Sequence, residues 1–211
     1  PEPTGQLVKA VIYGVAICIP AALIEPFIIQ AIFGDGPTTL FGTTVEAFFV
    51  AALPEEGLKL LALWLILRHN PYFDEHFDGI VYAVCIGLGF AAIENVSYIF
   101  DNKENWFLVA VTRSLLAVPA HYIFAVLMGY YYSVYHFVDH SPRTAAYILL
   151  IPVLAHGVYD AFALSGTVNP YIGEICFAIL FFFCIKMRKV ARAKIMAQIQ
   201  KDQGNSDINM V

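Results

Sequence analysis

Leu53-Pro54-Glu55-Glu56-Gly57-Leu58-Lys59 sets two carboxylates and an ammonium inside residues 45–67, a segment otherwise apolar enough to cross a bilayer. A charge at mid-bilayer depth costs roughly 3 kcal/mol even on the mildest insertion scale, so acids placed there need partners. Pro54 removes a backbone donor and breaks the hydrogen-bond ladder, which puts Glu55 and Glu56 in the first turn of what is in effect a new helix. Lys59 lies at i+4 from Glu55 and i+3 from Glu56, within reach of either as a structural ion pair. One lysine does not match two carboxylates, so the remaining acid must be satisfied by residues distant in the chain.

The rest of the composition agrees with a membrane setting. Of 211 residues, 59% are hydrophobic and only 14% charged, far too apolar for a soluble domain of this size. The chain is therefore read as an all-α, polytopic transmembrane helix bundle. The net charge of −5 is sorted by position rather than spread over a surface, and nucleic acid is excluded as a partner class. Cys18, Cys85, Cys176 and Cys184 all fall in apolar spans without a C-x-x-C pair, so they read as small core residues rather than disulfide or thiolate-metal ligands. The apolar run from Leu7 to Phe33 is too long for a signal-peptide core and reads as a true span.

Six stretches are long enough to cross about 30 Å of hydrocarbon as helices: 7–33, 45–67, 79–100, 107–135, 144–165 and 171–187. The intervening Gly34–Pro37, Arg68–Pro71, Asp101–Asn105, Ser141–Arg143 and Gly166–Pro170 read as loops. Residues 1–187 form one transmembrane domain, and 188–211 a basic, then polar tail expected to be unstructured at its end. With the amino terminus inside, the inner segments hold Lys9, Arg68, Arg143 and the cluster Lys186, Arg188, Lys189, Arg192, Lys194 and Lys201, whereas the outer loops hold only Lys103. This asymmetry predicts a multi-pass cell-membrane protein with a cytoplasmic carboxy terminus.

Depth follows at about 1.5 Å per helical residue. Glu55 and Glu56 lie roughly 15 Å below the outer end of their helix, Glu94 about 9 Å, His121 about 21 Å, His156 about 13 Å and Asp160 about 8 Å. Polar groups from four helices thus gather in the outer half of the membrane, which points to a single site. Ala83, Gly87 and Ala91 recur at i+4 and lead to Asn95, a narrow face that lets a neighbouring helix hold Glu94 and Asn95 closely. His156 and Asp160 share a face, where Asp160 either fixes the imidazole tautomer or joins it in binding a metal or a substrate carbonyl. His121, taken alone, fits a satisfied core histidine as well as a ligand. Arg113 either snorkels outward or pairs with a carboxylate, Glu25 being a candidate. His69, His76, His136 and His140 fall in inner loops and read as solvated surface.

Together, Glu55-Glu56-x-x-Lys59, the run Phe73-Asp74-Glu75-His76-Phe77-Asp78-Gly79-Ile80-Val81-Tyr82, Gly89-Phe90-Ala91-Ala92-Ile93-Glu94-Asn95, His121 and His156-Gly157-Val158-Tyr159-Asp160 resemble the PrsW family of intramembrane proteases over about residues 1–190. More distantly, the pattern is similar to the CAAX-protease superfamily. There Glu94 stands where that group has the histidine of a Phe-x-x-x-His, and Asp160 where it has an asparagine. The resemblance implies site-1 proteolysis of a membrane-anchored, single-span protein such as an anti-sigma factor on the extracytoplasmic side. It also implies one further hydrophobic helix ahead of Pro1.

On this reading one of Glu55 and Glu56 activates water, the other is held by Lys59, and His156, oriented by Asp160, stabilises the oxyanion or binds metal, with His121 and Glu94 completing the cage. Asn95 acts as structural support. Two histidines and a glutamate also form a zinc set, so Glu55, Glu56, Glu94, His121 and His156 are candidate metal ligands. No H-E-x-x-H is present, and metal-free and zinc-bound versions both stay open, with a slight lean to metal-free from the more distant resemblance. The rival class is a proton- or cation-coupled transporter using the same buried cluster. The absence of an inverted repeat or paired broken helices counts against it.

Overall fold

The computed structural model describes residues 2–208, and among these every regular element is helical. Helix α1 spans Thr4–Phe33 and continues through Pro20 and Pro26. After the glycine turn at Gly34 and Gly36, both with positive φ, the chain is helical from residue 40 to 67. That run is α2 (Leu40–Val45), a π-helical segment (Glu46–Ala52) and α3 (Leu53–Leu67). Pro54 has no N–H to donate backward, and the ladder changes from i→i+5 to i→i+4 bonding just ahead of it. Glu55 and Glu56 accordingly stand in the first turn of α3, as expected from the proline.

Among the described residues, five helical stretches are long and apolar enough to cross a membrane: Thr4–Phe33, Asp78–Asp101, Lys103–Phe137, Pro142–Val168 and Pro170–Gly204. The expected second span, 45–67, is helical throughout but is divided by the π segment and carries the charges that make the site. The expected fourth span is also divided. After a 3-10 turn at Lys103–Asn105, α5 (Trp106–Leu115) and α6 (Ala117–Phe137) meet at Leu116, whose φ of −120° departs from the helix. Pro119, in the first turn of α6, disfavours a ladder continued from α5, which places the break there.

Helix α4 (Asp78–Asp101) packs along α1 and α6. The approach is close enough that a Cβ on Gly129 would lie 2.3 Å from the Gly79 carbonyl oxygen, and one on Gly89 2.4 Å from that of Val11. Gly87 abuts Ala125, as the small-residue face predicts. Helix α7 (Pro142–Val168) starts with Pro142 after the cap Ser141, whose Oγ accepts from the Thr144 N–H at 3.2 Å. Hydrogen bonds from Thr144 and Ser141 hold the nearby Asp139 carboxyl below its usual range. The loop expected at Gly166–Pro170 contracts to Asn169 alone, whose Oδ1 accepts from Tyr171 N–H at 3.0 Å and so starts α8 (Pro170–Ile208). Gly166 and Gly173 let α7 and α8 approach there.

The tail expected to be unstructured is helical through Ile208, and residues 209–211 lie outside those described. Ala191 and Gln198 are buried, Gln198 donates to the Tyr130 carbonyl, and Asp202 accepts from the N–H groups of His76 at 2.8 Å and Phe77 at 2.9 Å. These buried contacts supply the tertiary packing that a polar helix lacks on its own. His76, expected to be solvated, is half-buried with Nδ1 2.8 Å from Asp202. The outer face of the bundle is apolar, with Phe27, Phe41 and Tyr171 more than three-quarters exposed at 76%, 79% and 81%, as suits contact with lipid.

Candidate active site

Five ionisable side chains are buried together at the middle of the bundle: Glu55, Glu56 and Lys59 from α3, His121 from α6 and His156 from α7. Adjacent helical residues diverge by about 100°, yet the two glutamates converge because both turn to one ammonium. Lys59 Nζ lies 3.0 Å from Glu55 Oε2 and 2.8 Å from Glu56 Oε1, so the lysine satisfies both acids rather than one. Two carboxylates on one cation are tolerable here because further donors share the load. The ammonium also donates to His121 Nδ1 at 3.2 Å and stands 4.2 Å from the centre of the Phe90 ring.

An ammonium offers only donors, so His121 Nδ1 must accept and Nε2 must carry the proton. Nε2 lies 2.8 Å from Glu94 Oε2, which receives it. The same oxygen is 2.9 Å from Arg113 Nη2, while Arg113 Nε donates to Asn95 Oδ1 at 2.7 Å and the guanidinium covers the Tyr98 ring at 3.7 Å. Arg113 therefore pairs with Glu94 and Asn95, not with Glu25. A continuous chain of polar contacts runs from α5 to α3 through Glu94, His121 and Lys59.

His156 closes the other side. Its Nδ1 lies 2.9 Å from Glu56 Oε1, and its Nε2 lies 3.1 Å from Asp160 Oδ2 and 4.0 Å from Glu55 Oε2. A neutral ring donates to only one of these carboxylates, whereas an imidazolium donates to both. Phe124 stacks on His156 at 4.7 Å and 18°, and His121 meets it edge-on at 5.3 Å. Phe90 and Phe124 thus form the apolar walls of the cage. Phe90 belongs to the Phe90-x-x-x-Glu94 run that carries the resemblance, whereas nothing in the sequence context of Phe124 separates it from other core aromatics.

Glu55, Glu56, His121 and His156 each present one ligand atom, and these atoms lie within 4.8 Å of one another. Glu56 Oε2 is buried without a hydrogen-bond partner. By chemistry and convergence this donor set fits a divalent cation, but Lys59 Nζ stands among three of the four donors. Glu94, considered a ligand from sequence, lies outside this group and contacts it through His121. Cavities of about 610 and 920 Å³ elsewhere in the bundle are lined by other residues.

A family model described as "PrsW family intramembrane metalloprotease" matches residues 2–187. The chain is similar to "Protease PrsW" of Clostridioides difficile (strain 630), 38% identical over 163 residues that cover 75% of this chain and 67% of the relative. It is 32% identical over 201 residues to "Protease PrsW" of Geobacillus kaustophilus (strain HTA426), covering 94% and 84%. To that of Bacillus subtilis (strain 168) it is 31% identical over 205 residues, covering 94% and 88%. No solved structure matches.

Proposed function

The chain belongs to the PrsW family of intramembrane metalloproteases, and we propose that it makes the site-1 cut in a membrane-anchored, single-span protein of the anti-sigma-factor class, on the extracytoplasmic side. The observation that carries this reading is the buried cage of Glu55, Glu56, Lys59, His121 and His156, built from three helices, with Glu94 and Asp160 behind it. The basic residues near the opposite end of the bundle support an extracytoplasmic location for the cage.

Glu55 is the proposed general base. Its side chain is 5% exposed, against 0% for Glu56, whose Oε1 is held by both Lys59 and His156. Glu55 takes a proton from water as the water oxygen bonds to the scissile carbonyl carbon. The positive charge of Lys59, and of His156 as an imidazolium, stabilises the oxygen on which negative charge develops. When the C–N bond breaks, Glu55 returns the proton to the leaving amine. Asp160 and Glu56 orient His156, and Glu94 fixes the His121 tautomer. A divalent cation would be held by Glu55, Glu56, His121 and His156, and when bound would polarise the carbonyl or acidify water. Its entry requires Lys59 Nζ to withdraw.

Purified protein in proteoliposomes should cleave a single-span substrate outside or within the outer leaflet. Glu55→Gln is expected to lower the rate roughly 100-fold or more with the fold retained, as loss of a general base does. Glu56→Gln should lower both rate and melting temperature, because it loosens Lys59 and His156 together. Full activity in both variants would refute the reading, and a cut on the cytoplasmic side would refute the site-1 assignment.

A further inference from the structure

Helix α5 is held to the bundle by very little. None of its residues is buried, and none belongs to the buried clusters that join its neighbours. The chain departs from helical geometry at both of its ends, with φ −117° and ψ 21° at Asn105 and φ −120° at Leu116. Among the described residues, Arg113 makes every side-chain hydrogen bond and ion pair from α5 to another helix, reaching Glu94 and Asn95 with its guanidinium over the Tyr98 ring. Helices in a bilayer associate through close packing and polar contacts, because lipid is as apolar as a leucine side chain. Without buried packing, α5 depends on that one arginine. Its position gives the looseness a use. Inward of His121 the seam between α4 and α6 is sealed by contact of small residues, Gly79 on Gly129 and Gly87 on Ala125. Outward of His121, α6 ends one turn away at Ala117, and α5 takes its place beside α4. Ala117 shares a helix face with His121 and is 3% exposed.

We propose that α5 is the gate of the cage: it swings about Leu116 when Arg113 leaves Glu94 and Asn95, and admits the substrate's extended segment between the outer ends of α4 and α6. This rests on the protease reading above. Opening also frees the carboxylate that fixes the His121 tautomer, so the cage is fully ordered only when the gate is shut. An extended chain needs about 5 Å, the spacing of neighbouring strands, and Leu108 stands about 12 Å from the hinge, so a swing of about 25° is enough.

The test reads opening in the full chain in nanodiscs, with the four native cysteines replaced. Ala117→Cys and, as a control in the sealed part of α6, Val126→Cys each place one buried thiol for reaction with N-ethylmaleimide. Arg113→Gln should speed the reaction at position 117 roughly tenfold or more, the weight of one charge-assisted hydrogen bond, and leave position 126 protected. Spin labels at the exposed Leu108 and Leu154 should show, in that variant, a second distance about 5 Å from the first, while a pair at Ile12 and Leu154 stays single. Pro119→Ala restores a backbone donor and favours a ladder continued from α5 into α6, so labelling at position 117 and cleavage should both become slower than in the parent protein. The proposal is overturned by equal labelling of position 117 with and without Arg113, by equal gain at position 126, which would mean general loosening, by one unchanged Leu108–Leu154 distance, or by slowed labelling with unchanged cleavage in Pro119→Ala. Because labelling and distances are read without cleavage, a fixed α5 removes the gate and leaves the protease reading standing.

Discussion

Replacing Lys59 by methionine removes the ammonium shared by both glutamates while keeping most of the side-chain volume. In the native protein Nζ is 3.0 Å from Glu55, 2.8 Å from Glu56 and 3.2 Å from His121 Nδ1, and the residue is 3% exposed. Breaking a buried pair from one side costs about 3–5 kcal/mol because the partner charge stays behind uncompensated. At about 2–4 °C per kcal/mol for a chain of this size, the melting temperature should fall by roughly 6–20 °C. Melting is followed by circular dichroism in detergent, with fluorescence of Trp64 and Trp106 as a second probe. If stranded charge is the cause, Lys59→Met/Glu56→Gln should regain much of the loss, since one carboxylate charge goes with the lysine, while cleavage remains abolished. An unchanged melting temperature in the single variant, or a double variant less stable than the single, would refute the reasoning.

Arg113→Ala should reduce cleavage roughly 10–100-fold and also lower the melting temperature, because Glu94 keeps its charge but loses the cation that neutralises it and orients it toward His121. Arg113→Lys should restore only part of that, since lysine cannot contact Glu94 and Asn95 with one planar fork; full restoration would mean that charge alone matters. Gly129→Ala drives a methyl group against backbone atoms of Gly79 and Ile80, 2.3 and 2.6 Å away, and should destabilise the α4–α6 contact by about 1–3 kcal/mol or more, read as a loss of thermal stability. Zinc binding, measured by equilibrium dialysis, should be roughly tenfold tighter in Lys59→Met than in the parent protein, since a like charge 4 Å away costs about 1 kcal/mol or more even at the dielectric constant of water. Equal affinity would show that the ammonium and the ion do not compete for one position.

Helix content, the placement of five of the six expected spans and the convergence of Glu55, Glu56, His121 and His156 are legible from composition and residue spacing. Water is absent from the hydrocarbon core, so backbone must be helical there and polar side chains must find one another. Pro54 likewise announces where α3 begins, and the depth count identifies which residues meet. Partner choice is a different matter. That Lys59 bridges both glutamates, that Arg113 takes Glu94 and Asn95 rather than Glu25, and that Phe90 and Phe124 wall the cage depend on how α3, α4, α5, α6 and α7 rotate about their axes. Rotation is set by packing such as Gly79 against Gly129, which spacing along one helix does not encode. The end of α8 gives the same lesson: its polar sequence reads as unstructured, and long-range contacts such as Asp202 on the N–H groups of His76 and Phe77, and Gln198 on Tyr130, hold it as a helix.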